Sequence, residues 1–138
     1  LLIKTLGERL AEAAAEKLHE FIRKKAWGYA PDEQLTMKQL LNEDYQGIRP
    51  AVGYPSLPDI SVSYLLAELI DMKRIGIHLT ENGMMQPHAS VCGLMFSHPA
   101  SRYFAVGKID EEQLKDYAER RGFSVKEMRK YLSANLQD

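Results

Sequence analysis

The sequence contains a single cysteine, Cys92, and therefore cannot form an internal disulfide. This excludes a disulfide scaffold and fits a reducing compartment, so we expect a cytoplasmic protein. The 18 basic and 19 acidic residues almost cancel, to a net charge of −1. A nearly neutral chain lacks the electrostatic footprint of a nucleic-acid-binding protein or of one that binds an anionic membrane surface. We thus expect neither nucleic acid nor a membrane among its partners.

Targeting segments and long apolar runs are also missing. The N-terminus has no basic region followed by an apolar core and a small-residue cleavage site, and no apolar run approaches the roughly 20 residues of a membrane span. The 138 residues, 45% apolar and 27% charged, have the composition of one globular domain or of part of a larger one. Because the chain begins with Leu1 and not with Met, we expect it to be part of a longer protein.

Several chemical signatures are absent too. There is no Gly-x-Gly-x-x-Gly for a Rossmann-type site, no Gly-x-x-x-x-Gly-Lys phosphate loop and no Gly-x-Ser-x-Gly elbow. The four histidines lie on separate segments without the spacing of metal ligands. A zinc site formed by His88, Cys92 and His98 is conceivable, but solvated or core histidines are favoured, and we predict no metal site.

Apolar positions with the spacing of one helical face recur along the chain. The predicted helices cover residues 2–26, 37–44, 60–73, 111–121 and 125–132. In the first helix the apolar positions run from Ile3 to Ile22, and the charged residues lie mostly off that stripe. In the third we expect Asp59 as the N-cap and the following residues to face inward: Leu65, Leu66, Leu69 and Ile70.

Three of these helices begin with the pattern of a capping box, in which an N-cap side chain and the residue three positions later bond reciprocally. The pairs are Thr36 with Gln39, Asp110 with Gln113, and Ser124 with Glu127. Glycines mark expected helix ends at Gly28, Gly76 and Gly122.

Strand-forming residues are concentrated in the segments 89–96 and 102–109, which five residues connect. We predict an antiparallel hairpin there and a further short strand at 77–80. Helices, then strands, then helices indicate an α+β fold with an antiparallel sheet flanked by helices, and not an alternating α/β fold. Cys92, inside an apolar segment, is expected to be buried and not to act as a nucleophile.

The segment 46–58 contains three prolines and two glycines and predicts a stiff, irregular loop. Arg49 stands directly before Pro50, and a guanidinium held in this way suits bidentate capture of a carboxylate or phosphate. Gly53 permits close backbone approach, and Tyr54 offers an aromatic face. Spacing alone nevertheless favours a structural turn in which Arg49 caps a nearby helix.

A second candidate is Tyr103, at the start of the second predicted strand. There it can stack on a heterocycle or face a cation, with Phe104 on the opposite face and Ala105 on its own. From the pattern alone, ordinary core packing is favoured for this residue as well.

Residues 44–55, Asp-Tyr-Gln-Gly-Ile-Arg-Pro-Ala-Val-Gly-Tyr-Pro, closely resemble the C-terminal activation domain of cobalamin-dependent methionine synthases. The same resemblance is carried by Ala-Ser-Val at 89–91, Phe-Ser-His-Pro at 96–99 and Ser-Arg-Tyr-Phe-Ala-Val at 101–106. The likeness extends from about residue 6 to residue 136, and it favours a binding role for Arg49 and Tyr103.

This resemblance implies a non-Rossmann α+β domain that binds S-adenosylmethionine (AdoMet) in a shallow groove. In that family, oxidised cobalamin is repaired with an electron from a flavodoxin-type reductant and a methyl group from AdoMet. The cobalamin is bound by another module, so the expected partners are that module and the reductant. Residues 1–138 would form the C-terminal portion of an activation domain whose N-terminal half is absent here. We expect the fragment alone to be inactive as a methionine synthase.

The resemblance also implies roles for individual residues. Arg49 would bind the AdoMet carboxylate, and Glu12 and Glu43 would offset the ammonium and sulfonium charges. The remaining predicted binding residues are Pro50, Ala51, Gly53, Tyr54, Tyr103, Phe104 and Ala105. No residue is predicted to be catalytic, because methyl transfer to cobalt(I) moves no proton. The alternative is a docking domain for a corrinoid protein or a flavodoxin that does not bind AdoMet on its own.

Overall fold

The computed structural model describes residues 2–137, which form two compact units. The first unit combines residues 2–50 with 89–103, and the second combines 51–88 with 104–137. Each unit is therefore built from two separate stretches of the sequence.

The first unit begins with the long predicted helix. Helix α1, Leu2–Phe21, continues directly as a π-helical turn at Ile22–Ala26. The chain then turns at Gly28, whose φ of 71° lies in the left-handed region. The helix prediction is confirmed, but the apolar positions of α1 are largely exposed, and its buried side chain is His19. Neither α1 nor any other helix within residues 2–137 combines the length and the apolar character that crossing a membrane requires.

Helix α2, Met37–Leu41, confirms the capping box of Thr36 and Gln39. The Thr36 Oγ1 accepts from the Gln39 N–H at 3.3 Å, and the Gln39 side chain accepts from the Thr36 N–H at 2.9 Å. The helix ends before residue 44 because Glu43 adopts a left-handed backbone, with φ of 56°.

In the second unit, helix α3, Val62–Leu69, is shorter than predicted at both ends. Asp59 Oδ1 accepts from the Ser61 N–H at 2.8 Å, which forms a turn ahead of the helix in place of the expected cap. A short 3-10 helix, Met72–Ile75, follows after Asp71 takes a left-handed φ of 49°.

The prediction of which α3 residues are buried is only partly confirmed. Leu66 is buried, but the other three residues expected to face inward are more than half exposed: Leu65, Leu69 and Ile70. Because the helix stops at Leu69, Ile70 no longer continues the helical face that the sequence pattern assumed.

The sheet consists of two short antiparallel strands, β1 at His78–Leu79 and β2 at Met85–Gln86. His78 pairs with Gln86, and Leu79 pairs with Met85. The α+β class with an antiparallel sheet is thus confirmed, including the short strand expected at 77–80.

The hairpin predicted from 89–96 and 102–109 is wrong. The two segments do not pair with each other, because their backbone groups bond elsewhere within each unit. In the first unit Phe96 pairs with Ile48, and in the second the Val106 N–H donates to the Pro55 carbonyl at 2.9 Å.

The core of the second unit lies between helix α4, Glu111–Arg121, and helix α5, Val125–Tyr131. Its fully packed side chains are Leu114, Ala118, Met128 and Leu132. Both predicted capping boxes are present, and Gly122 ends α4 with φ of 72°. These two helices begin and end where the sequence predicts, to within one residue.

A buried carboxylate connects α4 to the chain ahead of α3. Asp59 Oδ2 accepts from the Tyr117 hydroxyl at 2.8 Å and from Arg121 Nε at 3.2 Å. Arg121 also donates to the Ser61 hydroxyl at 2.8 Å. Burial, together with the hydrogen bond to Asp59, raises the pKa of Tyr117 to about 12.

In the first unit, Gly47 lies where the backbone of another segment passes very close. A Cβ placed on Gly47 would be 2.1 Å from the Phe96 carbonyl oxygen, and its φ of 89° is left-handed. Only glycine fits this contact without displacing the Phe96 backbone.

We expect Leu114→Ala to lower the free energy of unfolding by about 2–5 kcal/mol, because it opens a cavity in the core between α4 and α5. The matched control is Leu69→Ala, whose side chain is 78% exposed and which should change stability by no more than about 0.5 kcal/mol. Urea denaturation followed by circular dichroism measures both. Equal effects of the two substitutions would show that the core lies elsewhere.

We expect Gly47→Ala to destabilise the protein more than Gly107→Ala. Both positions have left-handed φ, but a Cβ at Gly107 meets no atom within 4 Å. The control should therefore lose only the backbone term of about 1–2 kcal/mol, and Gly47→Ala an additional term of about 1–3 kcal/mol from overpacking. Hydrogen exchange should also be faster at the Ile48 amide in Gly47→Ala. Unchanged Ile48 exchange would contradict the close contact.

Candidate functional site

Arg49 lies on a short extended segment in which the residue before it and the residue after it both form backbone hydrogen bonds. Ile48 and Phe96 each donate their N–H to the other's carbonyl, both at 3.0 Å, and the Pro50 carbonyl accepts from the Leu94 N–H at 3.0 Å. Pro50 is buried and supports this backbone. Because side chains alternate along an extended chain, Arg49 projects to the side opposite its two neighbours.

The Arg49 guanidinium contacts two residues of α1. Its Nη1 donates to His19 Nδ1 at 3.1 Å, and its Nη2 donates to Glu16 Oε2 at 2.9 Å. Glu16 and His19 are three residues apart and therefore share one helix face. The Arg49 side chain is 22% exposed, so it is only partly shielded from solvent.

His19 has no exposed surface and is held on several sides. Its Nε2 lies 3.3 Å from the Tyr29 hydroxyl, and the Tyr45 ring meets it edge-on with centroids 4.9 Å apart. Burial, and then the nearby guanidinium groups of Arg23 and Arg49, lower the pKa of His19 to about 4, against the smaller effect of neighbouring carboxylates. The imidazole is therefore neutral at physiological pH.

Arg23 is a second, fully buried cation on the same face of the helical segment. Its Nε and Nη2 donate to the two carboxylate oxygens of Glu33, both at 2.8 Å, and its Cζ lies 4.2 Å from the centroid of the Tyr45 ring. Its Nη1 is 4.0 Å from Glu16 Oε1, and among residues 2–137 neither of these two atoms has a hydrogen-bond partner. Burial also raises the pKa of Tyr45.

These residues form a charge-balanced group, here called the α1 polar cluster: Glu16, His19, Arg23, Tyr29, Glu33, Tyr45 and Arg49. Two guanidinium groups face two carboxylates around a neutral imidazole. A buried charge is tolerated only when it is paired and hydrogen-bonded, so the members fix one another in place. Within the α1 polar cluster, His19 and Glu16 hold the Arg49 guanidinium by hydrogen bonds.

Apart from Arg49, the members of the α1 polar cluster are not predicted as site residues from the sequence. Three of them nevertheless have a regular spacing. Glu16, His19 and Arg23 stand at positions i, i+3 and i+7 and form a polar stripe on a helix whose apolar stripe runs along another face. The spacing indicates that the three side chains share one helix face. It does not predict the burial of His19 and Arg23 that the structure shows, because a polar stripe opposite an apolar one ordinarily faces solvent.

In the second unit, the residues after Pro50 fold into a tight turn. The Gly53 N–H donates to the Leu57 carbonyl and the Leu57 N–H to the Tyr54 carbonyl, both at 2.8 Å. Gly53 has φ of 85°, which explains a glycine at this position. Since the Gly53 N–H is used in the turn, Gly53 has only its carbonyl to offer a ligand.

This turn is joined to the segment around Phe104. The Ser56 hydroxyl donates to the Phe104 carbonyl and accepts from the Phe104 N–H at 3.1 Å, and the Val106 N–H reaches the Pro55 carbonyl. Ala105 stands between these two bonded residues. The structure thus brings together the predicted residues Gly53 and Tyr54 with Phe104 and Ala105, and the rings of Tyr54 and Phe104 are more than half exposed.

The predicted residues fall into both units. Arg49, Pro50, Tyr103, Glu12 and Glu43 belong to the first unit, and Ala51, Gly53, Tyr54, Phe104 and Ala105 belong to the second. Glu12 lies on α1 one turn before Glu16, where it accepts from Arg9 at 2.7 Å. Tyr103 is nearly half exposed, and Glu43 is exposed on the left-handed turn after α2.

The possible zinc ligands His88, Cys92 and His98 do not form a metal site. In the part of the chain that the structure describes, no three histidine, cysteine, aspartate or glutamate side chains are arranged to hold a metal ion. Cys92 is a buried free thiol, as predicted, and burial raises its pKa.

Two comparisons relate this geometry to known proteins. A family profile described as "Vitamin B12 dependent methionine synthase, activation domain" matches residues 1–122. A solved structure described as "Crystal Structure of the MetH Reactivation Domain bound to AdoHcy" superposes with a TM-score of 0.90 at 50% sequence identity.

The superposition covers 95% of this chain and 41% of that one, so the chain spans about two fifths of the length of this relative. The family match covers most of the 138 residues, and the structural match extends over nearly all of them. The chain therefore belongs to the family of activation domains of vitamin B12-dependent methionine synthases.

Proposed function

We propose that this chain binds AdoMet and thereby supports the reductive methylation that reactivates oxidised cobalamin in methionine synthase. The observation that carries the proposal is the geometry of Arg49, which His19 and Glu16 hold by hydrogen bonds while its side chain stays 22% exposed. The related reactivation domain with 50% identity has AdoHcy bound. AdoHcy lacks the transferable methyl group of AdoMet and therefore has a neutral thioether in place of the sulfonium.

The donor set of Arg49 fits the amino acid end of such a ligand. A guanidinium has five N–H donors, of which His19 and Glu16 each accept one. The others can bind a carboxylate through charge-assisted hydrogen bonds. The α1 polar cluster also reduces the cost of ligand binding, because the Arg49 side chain is already ordered.

We propose ligand-binding roles for the other predicted residues in each unit separately. Glu12, on the α1 face that also carries Glu16, and Glu43 are the carboxylates proposed to offset the ammonium and sulfonium charges. Tyr103 supplies an aromatic surface in the first unit. In the second unit the joined turn and segment described above supply further aromatic and backbone groups: Ala51, Gly53, Tyr54, Phe104 and Ala105.

AdoMet supplies the methyl group for this reaction. The chain's own residues bind and orient the ligand, and no proton transfer is required of them, so positioning is their contribution. The family name supports the cobalamin-binding module of methionine synthase as the partner. A flavodoxin-type reductant, and the correspondence of residues 1–138 to the C-terminal portion of an activation domain, remain proposals from the sequence resemblance.

We expect isothermal titration of the chain with AdoMet to show binding that Arg49→Ala weakens. Truncating an arginine that is paired with a charged ligand group should cost about 1.5–3 kcal/mol, which is roughly 10- to 150-fold in affinity. Arg49→Lys keeps the charge but loses the planar donor geometry, and it should lie between the wild type and Arg49→Ala.

The matched control is Arg120→Ala, which removes a surface arginine that pairs with Asp116 on α4. It should leave the affinity for AdoMet unchanged. If Arg49→Ala bound AdoMet as tightly as this control, the carboxylate role would be wrong. If the wild type gave no signal and still captured a cobalamin-binding module without AdoMet, the alternative of a docking domain would be favoured.

A further inference from the structure

We infer that His19 is a positioning residue for Arg49: as a neutral hydrogen-bond acceptor, it directs the guanidinium toward the ligand carboxylate without neutralising its charge. This inference rests on the proposed function of Arg49. It goes beyond that function because His19 does not itself touch the ligand.

The tautomer of His19 follows from its partners. Arginine has donors but no acceptor, so Nδ1 of His19 must carry the lone pair that accepts from Arg49 Nη1 at 3.1 Å. The proton of the neutral ring is therefore on Nε2, which points to the Tyr29 hydroxyl oxygen at 3.3 Å. A protonated His19 would turn an N–H toward the arginine and break this bond.

The orientation of the imidazole is fixed by its surroundings. The ring has no exposed surface, and Tyr45 meets it edge-on with the planes at 83°. Tyr45 is itself covered by Arg23, whose guanidinium is bound by Glu33. A rotation of the imidazole would therefore disturb the buried Arg23–Glu33 pair, so Nδ1 is a fixed point for Arg49.

A neutral acceptor suits this position better than a second carboxylate. Glu16 already contacts Arg49 Nη2 at 2.9 Å and partly offsets its charge. Another anion on Nη1 would compete with an incoming carboxylate by like-charge repulsion. His19 restricts the direction of the guanidinium and leaves its positive charge available to the ligand.

The charged and titratable groups around His19 explain why it stays neutral. Burial has the largest effect, and Arg23 from its own helical segment and Arg49 from the 48–50 segment further disfavour a third positive charge on His19. Glu16 and Glu33 act in the opposite direction with smaller effect, and Tyr29 and Tyr45 complete the enclosure.

The lowered pKa of His19 makes the free energy of unfolding depend on pH. In the unfolded chain His19 binds a proton below about pH 6.5, whereas in the folded protein its pKa is about 4. Between these values the unfolded state holds more protons, so stability is fully present above pH 6.5 and falls as the pH decreases toward 4. His19 then contributes at most about a tenfold change in the unfolding equilibrium constant per pH unit.

Urea denaturation between pH 7 and 4 tests this expectation. His19→Asn does not titrate, so its stability should depend less steeply on pH than that of the wild type in this window. The carboxylates titrate in both proteins and cancel in the comparison. Identical pH slopes for the two proteins would show that His19 is not a buried neutral imidazole.

The decisive experiment compares two substitutions against two ligands. His19→Leu fills the space without an acceptor, whereas the side-chain oxygen of His19→Asn lies near the position of Nδ1. We expect His19→Leu to weaken AdoMet at least about tenfold, and His19→Asn to stay within about threefold of the wild type. With decarboxylated AdoMet, which lacks the group that Arg49 binds, both variants should match the wild type.

The outcomes separate this inference from the proposed function. If the wild type binds AdoMet but His19→Leu weakens both ligands equally, His19 is merely structural and the inference is wrong. If the wild type binds neither ligand, the proposed function fails, and the inference fails with it. Nitrogen-15 NMR of the ligand-free wild type gives a reading that does not depend on whether a variant folds. A proton on Nε2 supports the inference, and a proton on Nδ1 overturns it.

Discussion

The arrangement of the first unit depends on a guanidinium that has been removed entirely from water. Leaving such a charge unpaired costs several kcal/mol, so the protein surrounds Arg23 with the Glu33 carboxylate and the face of Tyr45. Tyr45 then restricts the orientation of the His19 imidazole, and His19 restricts the orientation of the Arg49 guanidinium. The direction of the partly exposed Arg49 side chain therefore depends, through three successive contacts, on the need to satisfy the buried Arg23.

The second unit contains a buried ion of the opposite charge, and it too is satisfied by an aromatic residue and an oppositely charged side chain. Its buried ion is a carboxylate, Asp59, which accepts from the Tyr117 hydroxyl, Arg121 Nε and the Ser61 N–H. In both units an aromatic residue and an ion of opposite charge satisfy the buried group. The second unit adds an apolar core around Leu114, whereas the buried side chains of the first unit include His19 and Arg23.

The features that the sequence predicted correctly are local. The capping boxes of Thr36, Asp110 and Ser124 depend on residues three positions apart, and all three are present. The hairpin failed because the partner of a strand-forming segment is chosen by distant contacts, as Phe96 is by Ile48. For the same reason the local motif singles out Arg49 as a candidate, whereas it does not predict the contacts of Arg49 with α1, about 30 positions earlier in the chain.

The first unit closes only when residues 89–103 join the N-terminal stretch. During synthesis, therefore, the segment that carries Arg49 emerges well before Leu94 and Phe96, the residues that anchor its backbone. The backbone around Arg49 is therefore fixed late in folding. The stretches 2–50 and 89–103, separated by 38 residues, must come together before it is held in place. A nascent polypeptide that stops short of Phe96 would carry Arg49 and its flanking residues and still lack the backbone pairing of Ile48 with Phe96.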